Sequence, residues 1–237
     1  MNCLLIEEGE LGPDGNRVRI TGRRRHHVET ILRCEVGERI RVGVIGGRLG
    51  HGRILRIDTH VLDLEIELGR DSVPKRPLHL ILALPRPPVF RRLLSTVASL
   101  GVEKLWVVGT ARTERNFWQS HVVEAEEVRE CLLLGLEQAS DSILPEVEFH
   151  RYFDSLVSEF LPEKLAGRRA LLAHPSAKQR CPHAVDGPVS VFVGPEGGFV
   201  DSEVERLETI GFEVVGLGPR VLRVEPIIPL LVGRLFD

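Results

Sequence analysis

Two hydrophobic rhythms meet in this chain, and their meeting point constrains the fold more than any other feature. Before residue 70 the apolar segments are short and mostly alternate, as in Arg17-Val18-Arg19-Ile20, Arg39-Ile40-Arg41-Val42, Gly52–Ile57 and Val61–Ile66. Alternation puts every second side chain on one face of a strand, and turns such as Gly46-Gly47 separate the segments. Strands of this kind suit a small β-barrel, with one short helix predicted around His27–Arg33. After residue 77 the rhythm changes. Leu78–Leu84 is a continuous apolar strand, and Val89–Leu100 carries apolar residues at helical spacing before Gly101, a C-cap residue. Further strands are predicted at Leu105–Val108, Val147–Phe149, Arg169–Ala173, Val189–Val193 and Phe212–Leu217. Helices are predicted over His121–Ala139, from Ser202 to Gly211 with Glu205 completing a capping box, and at the apolar C-terminus. Strands alternating with helices predict an α/β domain with a buried parallel sheet. The segment Arg70–Pro77, with two prolines and several charges, reads as a linker and puts the boundary between domains 1–72 and 73–237.

At 237 residues the chain can bury a real core, and 43% hydrophobic with 27% charged residues excludes wholesale disorder. Cys3, Cys34, Cys131 and Cys181 form no CxxC pair and no zinc-finger spacing, so free thiols in a reducing cytosol and no metal are expected. No apolar run approaches the ~18 residues of a membrane helix, and the start lacks the pattern of a secretory signal, so a cytoplasmic protein is expected.

The net charge of −3 argues against a generically basic nucleic-acid binder. Of 31 basic residues only four are Lys. Arg suits bidentate phosphate contact, and a GC-rich genome produces the same bias. Residues 17–56 hold eleven Arg against Glu29, Glu35 and Glu38, a formal +8, which leaves −11 for the rest. The candidates there for RNA contact are Arg23, Arg24, Arg25, His27 and Arg33; the alternative is a solvated charge run. Arg112 and Arg115 with Trp118 form a second basic–aromatic group, open to phosphate contact and base stacking or to ordinary packing of the indole.

Two loops carry the densest chemistry. Gly194-Pro195-Glu196-Gly197-Gly198-Phe199 lies between a buried strand and a helix, where α/β folds bind ligands. It is neither GxGxxG nor a Walker loop, so it is a ligand loop of another kind or a tight turn. Leu217-Gly218-Pro219-Arg220-Val221-Leu222-Arg223-Val224-Glu225 again follows a strand and precedes a helix. An Arg223–Glu225 salt bridge is the plain structural reading of its charges.

Together these two loops resemble the cofactor-binding end of the SPOUT methyltransferases, and within them the chain is similar to the RsmE family of 16S ribosomal RNA uridine-N3 methyltransferases. His27-Val28-Glu29-Thr30-Ile31-Leu32-Arg33, Val36-Gly37-Glu38, Leu100-Gly101-Val102, Glu137-Gln138 and Pro145-Glu146 also fall in register. The resemblance implies a PUA-like β-barrel followed by an α/β domain with a C-terminal trefoil knot, a homodimer, and ribosomal RNA or the assembled small subunit as partner. It implies S-adenosylmethionine as cofactor, held by Leu172, Ala173 and His174, by Gly194, Pro195, Glu196 and Gly197, and by Leu217, Gly218, Pro219, Val221, Leu222 and Arg223. The apolar set Ile227, Ile228, Leu230, Leu231, Leu235 and Phe236 suits a dimer interface or a core helix equally. Arg220 and Arg223 are the candidates to stabilise a developing uracil anion. Glu225 is a candidate base, or a brace or cap for the final helix.

The chain departs from the family pattern at Thr96 and Ser99, where the family has Lys and Glu, at Asp141, where it has Arg, and at Val224 and Pro226, where it has hydroxyl residues. These leave in view a divergent but active enzyme, one with a shifted target and a catalytically degenerate RNA-binding relative; a different small-molecule α/β enzyme using the Gly194 loop is a separate alternative.

Overall fold

The computed structural model describes residues 2–236 and contains two compact units. The first comprises the chain up to Pro74 together with Leu132–Leu144; the second comprises Lys75–Cys131 and the chain from Pro145 on. A single cut near residue 72 therefore does not describe the division, because a later segment returns to the first unit.

The first unit holds strands β1 (Leu4–Ile6), β2 (Arg17–Ile20), β3 (Arg39–Val44), β4 (Leu49–Ile57) and β5 (Leu62–Arg70), with helix α1 (Gly22–Thr30) between β2 and β3. The sheet order is β1-β3-β4-β5-β2; β1 runs parallel to β3 and the other pairs are antiparallel. Alternation works as expected on β2 and β3: Val18, Ile20, Ile40 and Val42 enter the core while Arg17, Arg19, Arg39 and Arg41 face out. At Gly50 a Cβ would sit 1.9 Å from the Glu67 carbonyl oxygen, so the register shift there requires glycine. Helix α1 starts and ends earlier than the sequence pattern suggests. Val28 is its one buried apolar residue, so it lacks a hydrophobic stripe, and Arg33 has φ +54°, outside any right-handed helix.

The second unit is a seven-stranded, fully parallel sheet in the order β10-β12-β9-β11-β6-β7-β8. Its strands are β6 (Arg76–Ala83), β7 (Val102–Val108), β8 (Glu146–His150), β9 (Arg169–Ala173), β10 (Gln179–Arg180), β11 (Val189–Val193) and β12 (Glu213–Gly216). Helix α2 (Pro87–Ser99) links β6 to β7, and α3 (Ala125–Ala139) precedes β8. The predicted start of α3 at His121 is a separate 3-10 turn, His121–Val123. After β8 come α4 (Phe153–Ser155), a π turn (Leu156–Phe160) and α5 (Leu161–Lys164); α6 (Asp201–Thr209) and α7 (Val224–Phe236) complete the unit. Trp106, Phe153, Leu172, Phe192 and Phe212 lie in one buried cluster against the sheet. Among the described residues no helix is long and apolar enough to cross a membrane.

Candidate active site

In a parallel α/β sheet the loops at the carboxyl ends of the strands converge on one edge, and ligands bind there. The loops after β9 and β12 meet in this way. The His174 amide donates to the Val215 carbonyl at 3.0 Å. Ala173, His174, Pro175, Leu217, Gly218 and Leu222 line a cavity of ≈ 60 Å³, with Arg220 and Val221 at its rim. Gly218, at φ +126°, takes a backbone conformation that a side chain would strain. Among the described residues the amides of Gly218, Arg220, Val221 and Leu222 enter no backbone–backbone hydrogen bond. The cavity's walls are apolar and its polar groups are main-chain ones, so a ligand here would be recognised through the backbone rather than through side chains.

Not every predicted residue faces this cavity. Leu172 is fully buried in the core, so only its main chain is available. Gly194, Pro195, Glu196 and Gly197 do not line it. Their loop is tied to its neighbours instead: Glu196 Oε1 accepts from the Arg86 amide at 3.1 Å, and Arg112 Nη1 donates to the Gly197 carbonyl at 2.5 Å. Gly194 is needed because a Cβ there would press 2.9 Å from the Phe199 ring. The helix after this loop is capped two residues earlier than predicted. Glu203, buried, accepts from the Val200 amide at 3.0 Å and from the Ala111 amide at 2.7 Å, so it both closes the start of α6 and anchors the loop after β7. Glu205, predicted for the capping role, is exposed. Ser and Glu three apart make the signal at Ser202; the working pair uses the main chain of Val200, which has no side-chain signature.

Arg220 and Arg223 are exposed and, among the described residues, make no ion pair or hydrogen bond. The expected Arg223–Glu225 bridge does not form. Glu225 Oε1 is held instead by Arg92 of α2, at 2.8 and 2.6 Å from Nε and Nη2. That contact engages the carboxylate as a brace between α2 and α7. In α7, Pro226 is the third residue and Pro229 lies beyond the first turn, where its missing N–H removes the bond to the Glu225 carbonyl. Val224, Ile228, Leu231 and Leu235 point into the core, which leaves Leu230 and Val221 as exposed apolar residues here. Of the other departures, Thr96 and Ser99 bond to carbonyls of their own helix, and Asp141 caps a turn by accepting from the Ser142 and Ile143 amides at 2.7 and 3.0 Å.

In the first unit six of the eleven arginines of the +8 stretch meet acids from outside it. Arg19 pairs with Asp63, Arg23 with Glu137, Arg24 with Glu10, Arg39 with Glu67, Arg48 with Asp71 and Arg56 with Asp58. Arg25 pairs with Glu29 within α1 and donates to the Asp58 carbonyl. The unit as folded carries twelve Arg against fourteen Asp and Glu, a formal −2. Arg24 and Arg25 are thus structural, with guanidinium groups turned inward. His27 is half-buried with Nε2 unpartnered, and burial lowers its pKa. Only Arg33 of the predicted set stands exposed without an ion pair or hydrogen bond among the described residues.

A family model described as an RNA methyltransferase domain matches residues 72–232. The parallel sheet, the converging loops and this match define the class: an RNA methyltransferase domain. The ribosomal RNA small subunit methyltransferase E of Treponema pallidum (strain Nichols) is 30% identical over 230 residues, covering 95% of this chain and 86% of that protein. The protein of the same name from Mycobacterium tuberculosis (strain CDC 1551 / Oshkosh) is 27% identical over 218 residues, covering 89% and 83%. A crystal structure of ribosomal RNA small subunit methyltransferase E from Neisseria gonorrhoeae, bound to S-adenosyl methionine, superposes with a TM-score of 0.72 at 20% identity, covering 97% of this chain and 95% of that one. The chain belongs to the ribosomal RNA small subunit methyltransferase E (RsmE) family.

Proposed function

We propose that this chain is a homodimeric enzyme that methylates N3 of a uridine in 16S ribosomal RNA, using S-adenosylmethionine. In this reading the C-terminal segment is threaded as a SPOUT trefoil knot and the five-stranded unit is PUA-like. The observation that carries the proposal is the cavity between the loops after β9 and β12, with free backbone amides along its wall and two unpaired arginines beside it. Ala173, His174, Leu217, Gly218 and Leu222 would hold the cofactor, and the braced Gly194 loop would keep their neighbourhood fixed. The replacements Val224 and Pro226 remove hydroxyl groups but leave main-chain recognition intact.

S-adenosylmethionine supplies a methyl already activated by its sulfonium, so the protein's part is to position the acceptor. The N3 proton would be lost to bulk water, and the methyl would pass from sulfur to N3 with the thioether S-adenosylhomocysteine as leaving group. The negative charge developing at N3 would spread to the flanking carbonyl oxygens. Arg220 and Arg223 offer cationic donors for that charge. Glu225, held by Arg92, serves the fold of the site rather than proton transfer. The exposed Val221 and Leu230 support an apolar contact with a second copy of the chain.

Calorimetric titration with S-adenosylmethionine, followed by methyl transfer to small subunits purified from cells lacking the gene, tests the reading. One cofactor per chain and transfer to 16S RNA support it. A folded protein that binds RNA but no cofactor would favour the catalytically degenerate alternative.

A further inference from the structure

A second groove, of ≈ 690 Å³, opens at the carboxyl ends of β7 and β8 in the methyltransferase unit. Its walls come from the loop Gly109–Trp118 and from Arg151, Tyr152 and Phe153. Tyr152, the chain's only tyrosine, presents its side chain to solvent with 69% of its surface exposed. Arg115 and Arg151 are exposed and unpaired among the described residues. Trp118 forms the inner wall, edge-on to Phe149 at 6.2 Å between ring centroids. The groove's acid, Asp154, is neutralised by Arg206, so its uncompensated charge is that of the two arginines.

An exposed aromatic beside two free guanidinium groups has no evident structural purpose. Burial does not hold the tyrosine, and no carboxylate holds the cations. The surrounding loop is nonetheless rigidly built. The Thr110 amide bonds the Thr113 hydroxyl at 3.2 Å, the Ala111 amide bonds Glu203 at 2.7 Å, and Gly109 is pressed so close that a Cβ would lie 2.6 Å from the Arg151 carbonyl oxygen. Glu203 and Arg112 tie this loop to the Gly194 loop and α6, so the groove is fixed to the same sheet edge as the cofactor cavity. A volume in the range of small-ligand sites suits one or two nucleotides.

The geometry points to a binding site for single-stranded RNA in this groove, a base stacking on Tyr152 and the phosphates beside it meeting Arg115 and Arg151. Stacking on an aromatic ring with flanking cations is how single strands are held without base pairing. The inference rests on the methyltransferase reading above and deepens it: the target nucleotide is presented from an unpaired stretch whose neighbour occupies this groove.

The test uses the full chain and a fluorescein-labelled ten-residue oligouridylate as probe. Tyr152→Ala should weaken binding about five-fold or more, while Tyr152→Phe, which keeps the ring, should restore it. The double variant Arg115→Ala/Arg151→Ala should flatten the plot of log affinity against log salt by roughly 1.4, about 0.7 for each phosphate no longer neutralised. S-adenosylmethionine titration and thermal melting report the integrity of each variant. Variants that bind with unchanged affinity and salt slope, while the parent binds, overturn the groove and leave the methyltransferase reading standing. A parent chain that binds neither this probe nor small subunits overturns both.

Discussion

Each unit holds paired and unpaired arginines: Arg33 and Arg41 of the five-stranded unit make no ion pair among the described residues, and Arg92 and Arg206 of the parallel-sheet unit do, but the two kinds are placed differently. In the five-stranded unit, Arg19, Arg23, Arg24, Arg25, Arg39, Arg48 and Arg56 each meet a carboxylate. In the parallel-sheet unit, Arg115, Arg151, Arg220 and Arg223 are exposed and unpaired among the described residues, all at the carboxyl edge of the sheet. The densest basic run, Arg23–Arg25, is therefore not a basic surface. Charge reaches a ligand where the fold withholds a partner, and here that is where the strand-end loops gather.

The widest separation between the two kinds of arginine should appear in catalysis. Arg220→Ala/Arg223→Ala is expected to lower the rate of methyl transfer ~10²–10³-fold, the usual loss when donors to a developing anion are removed, with little change in melting temperature. Steady-state kinetics on small subunits, read beside a melting curve, checks it.

Within the parallel-sheet unit the same contrast runs between the two ends of the sheet. Buried Glu203 at the loop edge is satisfied by two amides, whereas His79 on β6 is buried with Nδ1 unpartnered. Burial pushes the His79 imidazole down to about 4. The folded protein keeps it neutral while the unfolded chain takes up a proton near 6.5. Its contribution is therefore full above that pH and is lost as pH falls toward 4. Urea unfolding should show about 2 kcal/mol less stability at pH 5 than at pH 7 from this group, and His79→Phe should remove that part of the loss.

Arg24→Met sharpens the contrast from the other side. It removes the pair with Glu10 and the 2.7 Å bond to the Leu5 carbonyl, both half-buried, and should cost about 1 kcal/mol of stability. RNA affinity and its salt slope should stay as in the parent. Arg48→Ala, breaking an exposed pair with Asp71, should shift stability by less than ~0.5 kcal/mol in the same denaturation assay.

How much of this is legible in the sequence follows from which interactions are local. Strands β6 and β11 are mostly apolar, interrupted by His79 and Ser190, because both faces are covered, and they read directly. β1 is equally buried, but with three residues it is too short to establish a rhythm. The stretch from Phe153 to Lys164 is hidden because a π turn and Pro162 interrupt its helical spacing. The two ligand-loop motifs are visible, and with them the family. The pairing of Glu225 with Arg92, the anchoring role of Glu203 and the neutralisation of the Arg23–Arg25 run are not, since each depends on a partner brought close only by the fold. The groove is half legible: Arg115 and Trp118 stand out as a basic–aromatic group, while Arg151 and Tyr152 join them only because β7 and β8 are neighbours.

Nucleoside mass spectrometry of 16S ribosomal RNA from cells with and without the gene decides whether this chain methylates uridine N3. 3-Methyluridine should disappear from the RNA of the deletion strain and return when its small subunits are incubated with the purified protein and S-adenosylmethionine. An unchanged set of methylated uridines would contradict that assignment.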